Sequence, residues 1–70
     1  MNEFELSTEY IELFKLLKAL HLVGTGGEAK ISISEGLVQV NGVVEMRKRY
    51  KVRVGDKVEY NGEMINIKKG

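Results

Sequence analysis

The fold is decided by residues 36–46, which read Gly36-Leu37-Val38-Gln39-Val40-Asn41-Gly42-Val43-Val44-Glu45-Met46. The Asn-Gly pair lies between two runs rich in valine, and this combination is the strongest short-range signal for a β-hairpin. Gly36 stands where the glycine that ends a helix belongs. We therefore expect a helix to end at Gly36 and an antiparallel sheet to begin directly after it.

Two further turn signals divide the rest of the chain into short strands. Gly55-Asp56 separates residues 52–54 from residues 57–60, and Asn61-Gly62 separates the latter from residues 64–67. Apolar residues in these runs recur mainly with a period of two, as in a strand with one buried face. The second half of the chain is therefore predicted to form a small antiparallel sheet of four or five short strands.

Ahead of the sheet, apolar side chains recur at three- and four-residue intervals over residues 10–20, with charged side chains between them. This spacing predicts an amphipathic helix whose apolar face is buried. Ser7 or Thr8 is expected to cap its N-terminus, and Glu9 and Glu12 near its start suit the helix dipole.

A glycine-rich stretch, Gly24-Thr25-Gly26-Gly27, ends this helix and starts the next one. Glycine permits a sharp reversal of the chain, and Thr25 is a suitable N-cap. The second helix is predicted to run from Gly26 to Glu35, although Ile31-Ser32-Ile33-Ser34 alternates as a strand would. Two helices packed on a small antiparallel sheet make an α+β fold.

Length and composition predict one small soluble domain over residues 1–70, since 43% of the residues are hydrophobic and 30% are charged. No run approaches the ~20 apolar residues that span a bilayer. The acidic start of the chain is unlike a signal peptide, so we expect a cytoplasmic protein. Residues 3–6 alternate Glu with apolar side chains and predict a short strand or an extended lead-in.

The residue types needed for most catalytic sites are absent. The chain has no cysteine, which excludes disulfides, thiolate zinc sites and cysteine nucleophiles. Its only histidine, His21, has no partner motif for a metal site, and the acidic residues are scattered. We predict a protein that is not an enzyme and that needs no cofactor, metal or small-molecule substrate.

Positive charge is concentrated in one stretch, Arg47-Lys48-Arg49-Tyr50-Lys51-Val52-Arg53, here called the basic stretch. It holds five of the 11 Lys and Arg residues, although the net charge of the chain is only +1. As a strand it would place residues 47, 49, 51 and 53 on one face. Two interpretations stay open on charge alone: a contact surface for nucleic acid, or a solvated edge strand protected from aggregation.

The N-terminal part of the chain has the opposite charge. Residues 1–14 contain four Glu and no Lys or Arg. This separation of charge predicts an acidic face that points away from any anionic partner. Tyr50, within the basic stretch, could stack on a base but is expected to belong to the core.

The sequence resembles a known family. Glu28-Ala29-Lys30, then residues 36–42, Tyr50-Lys51-Val52 and Gly55-Asp56-Lys57-Val58 resemble the RNA-binding domain named after ribosomal small-subunit protein S-four, the α-L fold. The likeness covers roughly residues 8–60. Gly26-Gly27-Glu28-Ala29-Lys30 together with Glu45-x-Arg47-Lys48-Arg49 looks more narrowly like the small stand-alone YbcJ-type members.

This resemblance implies that RNA lies against the second helix and the neighbouring strand and loop. Thr25 takes the place of the family's helix-capping Ser, and Lys30 that of a basic residue on the exposed helix face. Two positions depart from the family pattern. Gly26 stands where Arg is usual. A turn that is usually uncharged in the family is here Arg47-Lys48-Arg49. The resemblance therefore implies that residues 47–49 form a turn leading into a strand at Tyr50.

Residues and resemblance together predict a monomer that docks structured RNA, ribosomal or other, through phosphate contacts. The predicted RNA-binding residues are Thr25, Gly26, Gly27, Lys30, Arg47, Lys48, Arg49 and Lys51. The alternative is a protein-interaction module whose basic patch meets an acidic protein partner. Binding to membrane lipid is disfavoured, because the basic stretch lacks the apolar face of an interfacial helix.

Overall fold

The computed structural model describes residues 2–70 and confirms the α+β class. Its two helices are α1 (Leu13–Ala19) and α2 (Gly26–Ser34). Its strands are β1 (Asn2–Leu6), β2 (Ile11–Glu12), β3 (Val38–Val40), β4 (Val43–Val44), β5 (Lys51–Val52), β6 (Lys57–Tyr60) and β7 (Glu63–Lys69). Five strands form one sheet in the order β1-β7-β6-β3-β4, and β2 pairs with β5 in a separate ribbon.

The predicted hairpins are confirmed. Strands β3 and β4 are joined by Asn41-Gly42, and strands β6 and β7 by Asn61-Gly62. Both residues of each pair have positive φ, between 53° and 82°, which is the conformation that Asn-Gly favours in two-residue hairpins. These turns fix the register of the antiparallel part of the sheet.

The first strand makes the main sheet mixed. Strand β1 runs parallel to β7, from Asn2 opposite Ile65 to Leu6 opposite Lys69. The alternation of residues 3–6 predicted a strand but did not identify its partner, because period two carries no information about direction. The N-terminal segment thus covers an edge of β7 that would otherwise be open.

The predicted start of the first helix was wrong. Residues 7 and 8 do not cap it, and α1 begins at Leu13 after Glu12, which offers no side-chain cap. The physical reason is the pairing of β2 with β5, in which Ile11 lies opposite Val52. This pairing holds the chain extended up to the first residue of the helix.

Backbone carbonyls replace the missing cap. The amide of Leu13 donates to the carbonyl oxygen of Tyr50 at 2.9 Å, and the amide of Phe14 donates to that of Lys48 at 3.1 Å. These two donors have no acceptor within the helix, so the contacts satisfy groups that a capping side chain would otherwise serve. The start of α1 is consequently tied to the basic stretch.

The second helix agrees with its prediction. The hydroxyl of Thr25 accepts a hydrogen bond from the amide of Glu28 at 3.1 Å, and the Glu28 carboxylate accepts one from the amide of Gly24 at 3.2 Å. The helix ends at Ser34, with Glu35 as its C-cap and Gly36 at φ 77°. The alternating segment 31–34 is therefore helical, and its Ser32 and Ile33 are buried together with Ala29.

Both helices and both sheets share one hydrophobic core. Its fully buried large side chains are Leu13, Leu16, Leu17, Ile33, Val38, Val52, Val58 and Ile65. Burying each of these side chains stabilises the folded protein by roughly 1.5–3 kcal/mol relative to leaving it exposed. Across residues 2–70, neither helix has the length and apolar character needed to cross a membrane.

Candidate nucleic-acid interface

The basic stretch is mostly a turn. Only Lys51 and Val52 are in strand β5, and the amide of Tyr50 bonds back to the carbonyl oxygen of Arg47 at 3.2 Å. The prediction of one cationic strand face over residues 47–53 was therefore wrong, whereas the turn at residues 47–49 leading to a strand is found. We call residues 47–49 the basic turn.

A groove of about 480 Å³ lies between the basic turn and β5. It is lined by Arg47, Arg49, Tyr50, Lys51, Arg53 and Asp56. Four of the five cations of the basic stretch therefore meet at one place, although they do not share a strand face. Tyr50 is half-buried against the core, as expected, and also lines this groove.

Arg47 is the most constrained of these cations. Its guanidinium donates to both carboxylate oxygens of Glu45, at 2.9 and 3.1 Å, and its amide donates to the same carboxylate at 3.0 Å. The side-chain bond from Arg47 is the main cause that lowers the pKa of Glu45 below its usual 4.5. The guanidinium also lies over the Tyr50 ring, 5.2 Å from its centroid.

Acidic residues of the N-terminal segment lie beside the basic stretch. Glu12 is 3.8 Å from Arg49, and Glu9 is 3.4 Å from Arg53. The predicted acidic face remote from the cations was therefore wrong. The cause is the β2–β5 ribbon, which places Glu12 opposite Lys51.

Among the described residues, two cations of the basic stretch are not held in an ion pair. Within residues 2–70 no carboxylate forms an ion pair with Lys48 or Lys51. Lys48 is exposed, and the Nζ of Lys51 lies 5.1 Å from the centroid of the Tyr10 ring. Both ammonium groups are free to contact an anion.

Phe14 joins the second helix to the basic turn. The Nζ of Lys30 lies 4.8 Å from the centroid of the Phe14 ring, while the Phe14 amide bonds to the carbonyl oxygen of Lys48. Sequence periodicity assigned Phe14 only to the apolar stripe of the first helix. Phe14 therefore contacts Lys30 of the second helix through its ring and the basic turn through its backbone.

The start of α2 adds backbone donors next to Lys30. Thr25 uses its hydroxyl in the helix cap, and the first amides of the helix, at Gly26 and Gly27, have no acceptor within a helix. A Cβ at position 26 would lie 3.9 Å from the Phe14 ring, an ordinary contact, so packing does not demand glycine there.

Several residues of this surface escaped sequence reasoning. Glu9, Glu12 and Phe14 were assigned to a helix face, and pairing between β2 and β5 brings them to the basic stretch. The Glu45 and Arg47 pair had a local signal, since opposite charges two residues apart can meet in an extended or turning segment. No three His, Asp or Glu side chains among residues 2–70 are grouped to hold a metal ion.

Comparisons with known proteins identify the family of this chain. The family model of the S4 domain matches residues 4–68, a wider span than the resemblance covered. YbcJ of Escherichia coli (strain K12) is 41% identical over 58 residues, which is 83% of each chain. The "Probable ribosome maturation protein RlbA" of Bacillus subtilis (strain 168) is 39% identical over 61 residues, covering 87% of this chain and 86% of that protein.

Two solved structures share the fold. The solution structure of E. coli YbcJ, described as revealing an α-L motif involved in RNA binding, has a TM-score of 0.75 and 39% identity, covering 97% of this chain and 87% of that one. The crystal structure of 30S ribosomal protein S4e from Thermoplasma acidophilum has a TM-score of 0.67 and 29% identity, covering 81% of this chain and 30% of that one. The chain belongs to the S4 domain family.

Proposed function

We propose that this protein binds structured RNA, without catalysis, by docking RNA phosphates on the surface shared by the basic turn and α2. The observation that supports the proposal is the pair of contacts at Phe14, whose ring lies under the Lys30 ammonium and whose amide bonds to the carbonyl oxygen of Lys48. The proposed contacts are Thr25, Gly26, Gly27, Lys30, Arg47, Lys48, Arg49 and Lys51. We further propose that the protein acts as a cytoplasmic monomer.

The electrostatics of this surface favour an anionic partner. Lys48 and Lys51 have no acidic partner within residues 2–70, and the Arg49 guanidinium is 3.8 Å from Glu12 with its side chain 74% exposed. The pair is long, and Glu12 also has an ion pair with Lys15 at 3.2 Å, so an RNA phosphate can replace the Glu12 carboxylate beside Arg49 at little cost. Binding then gains free energy from counterion release.

The relatives support RNA as the anionic partner. YbcJ is described as having a motif involved in RNA binding, RlbA is named for ribosome maturation, and S4e is a ribosomal protein. Because the proposed contacts are mainly cations and backbone amides, they suit phosphates and supply little direct reading of bases. We therefore propose structured RNA, ribosomal or other, as the ligand.

Charge reversal tests this proposal. In the test variant, Glu replaces Arg47, Lys48 and Arg49. In the control variant, Glu replaces Lys57, Lys68 and Lys69, which lie outside the proposed surface. Both variants change the net charge by the same amount. Binding to a panel of structured RNAs is measured by fluorescence anisotropy at low salt, and circular dichroism verifies that both variants fold.

We expect the test variant to lose RNA binding and the control variant to keep most of it. Equal losses in the two variants would mean that RNA responds only to net charge, and the proposed surface would be wrong. Unchanged binding in the test variant would contradict the proposal and favour a basic patch that contacts an acidic protein.

A further inference from the structure

We propose that the groove between the basic turn and β5 binds a single nucleotide that is unpaired and turned out of the RNA helix. The base would stack on the Arg47 guanidinium, and the phosphate would contact Arg49 and Lys51. This inference rests on the proposed function and adds a preference for RNA with an unpaired nucleotide, which phosphate docking alone does not give.

The groove has the size of a site for a small ligand. Its volume of about 480 Å³ lies within the ~300–1,000 Å³ typical of such sites. Arginine, lysine and tyrosine side chains line it, and these combine charge with flat surfaces. A nucleotide offers the complementary pair of groups, an anionic phosphate and a planar base.

The planar guanidinium of Arg47 is fixed in position, and its charge is already compensated. Its guanidinium has two hydrogen bonds to Glu45 on one side and the Tyr50 ring 5.2 Å away on another. The Glu45 carboxylate already compensates its charge, yet the Arg47 side chain remains 75% exposed. Nucleobases stack on guanidinium planes, so a fixed and exposed guanidinium is suited to receive one.

The other charged groups of the groove determine where a phosphate would bind. Arg49 has only a 3.8 Å contact to Glu12, and Lys51 has no ion pair within residues 2–70, so both can accept a new anion. Asp56 repels a phosphate, and its carboxylate already accepts from the amide of Arg53 at 2.9 Å and from Asn41 at 3.1 Å. The phosphate is therefore expected at the end of the groove away from Asp56.

Only an unpaired nucleotide can use this arrangement. In a continuous A-form helix the bases are stacked on each other, and proteins recognise such helices mostly through shape, 2′-hydroxyl groups and phosphates. A bulged nucleotide can leave the stack at low cost, because it has no pairing partner to lose. The groove would then select duplexes that carry a bulge.

The experiment compares two RNA duplexes with the same number of base pairs, one fully paired and one carrying a single additional, bulged uridine. A base that stacks on a side-chain plane adds to the affinity, so the wild-type protein should bind the bulged duplex roughly tenfold more tightly. Arg47→Lys retains a positive charge but lacks the planar guanidinium, so the ratio of the two affinities should fall to about one, whatever the change in affinity for the paired duplex. Arg49→Lys, the matched control, should keep the preference.

The other outcomes overturn either the nucleotide site or the proposed RNA binding. If the wild-type protein binds both duplexes equally, the nucleotide site is wrong and the proposed RNA binding stands. If Arg47→Lys keeps the preference, or weakens binding to both duplexes alike, the base does not stack on Arg47 and the inference fails. If neither duplex binds at low salt, the proposed function itself is wrong.

Discussion

Lys30 on the second helix lies over the ring of Phe14 on the first helix, with 4.8 Å between the Nζ and the ring centroid. The same Phe14 holds the basic turn through its amide, which bonds to the carbonyl oxygen of Lys48 at 3.1 Å. Side chain and backbone of one residue thus contact the two parts of the proposed RNA surface.

Replacing Lys30 with Gln should weaken RNA binding and reduce the steepness of its salt dependence by about 0.9, the contribution of one phosphate contact. Lys57→Gln is the matched control. Lys57 is exposed beside the buried Val58, so strand alternation turns it away from the core and from the helices. Titrations by fluorescence anisotropy at several salt concentrations measure both variants. Equal effects of the two substitutions would exclude Lys30 as a specific contact.

Replacing Gly26 with Arg should strengthen RNA binding. The backbone of Gly26 is helical, and a Cβ there meets only an ordinary contact with Phe14, so the helix accommodates the side chain. The added cation should make the salt dependence steeper by about 0.9. Gly26→Ala controls for the backbone change and should leave RNA affinity unchanged. No gain in affinity from Gly26→Arg would place the start of α2 outside the RNA surface.

Replacing Thr25 with Ala should lower the free energy of unfolding by about 1 kcal/mol, because the amide of Glu28 loses the hydroxyl that caps it. Urea denaturation followed by circular dichroism measures this change. Thr25→Ser retains a hydroxyl and should keep most of the stability. If Ala and Ser variants are equally stable, the cap contributes nothing.

The pKa of Glu45 should be measurably below 4.5, because Arg47 donates hydrogen bonds to its charged form. A carboxylate whose pKa is lowered by folding stabilises the protein at pH values above 4.5, and this contribution is lost as the pH falls through the lowered pKa. Carbon-detected NMR titration of the glutamate carboxyl groups tests the shift. In Arg47→Gln the pKa of Glu45 should return toward 4.5, and no change would exclude Arg47 as the cause.

Local sequence signals predicted the parts of the fold that depend on neighbouring residues. The Asn41-Gly42 and Asn61-Gly62 turns, the Thr25 cap and the helix end at Gly36 follow from backbone conformations that few residue types favour. The parallel pairing of β1 with β7 joins residues more than 60 positions apart, so no local signal identified it.

The candidate site was predictable in composition and less so in arrangement. The cluster of cations at residues 47–53 and the position of Lys30 were accessible from charge and from the family resemblance. The acidic neighbours were not, because Glu12 reaches Arg49 only through the ribbon of β2 and β5, and each of these strands is two residues long. Helical spacing over residues 10–20 concealed that ribbon.

The salt dependence of RNA binding tests the central claim most directly. The affinity of the wild-type protein for a structured RNA is measured across a series of salt concentrations. If about four phosphates are neutralised at the basic turn and α2, the logarithm of the binding constant should fall against the logarithm of salt with a slope of roughly -3 to -4. A slope near zero would contradict this surface as the RNA-binding site.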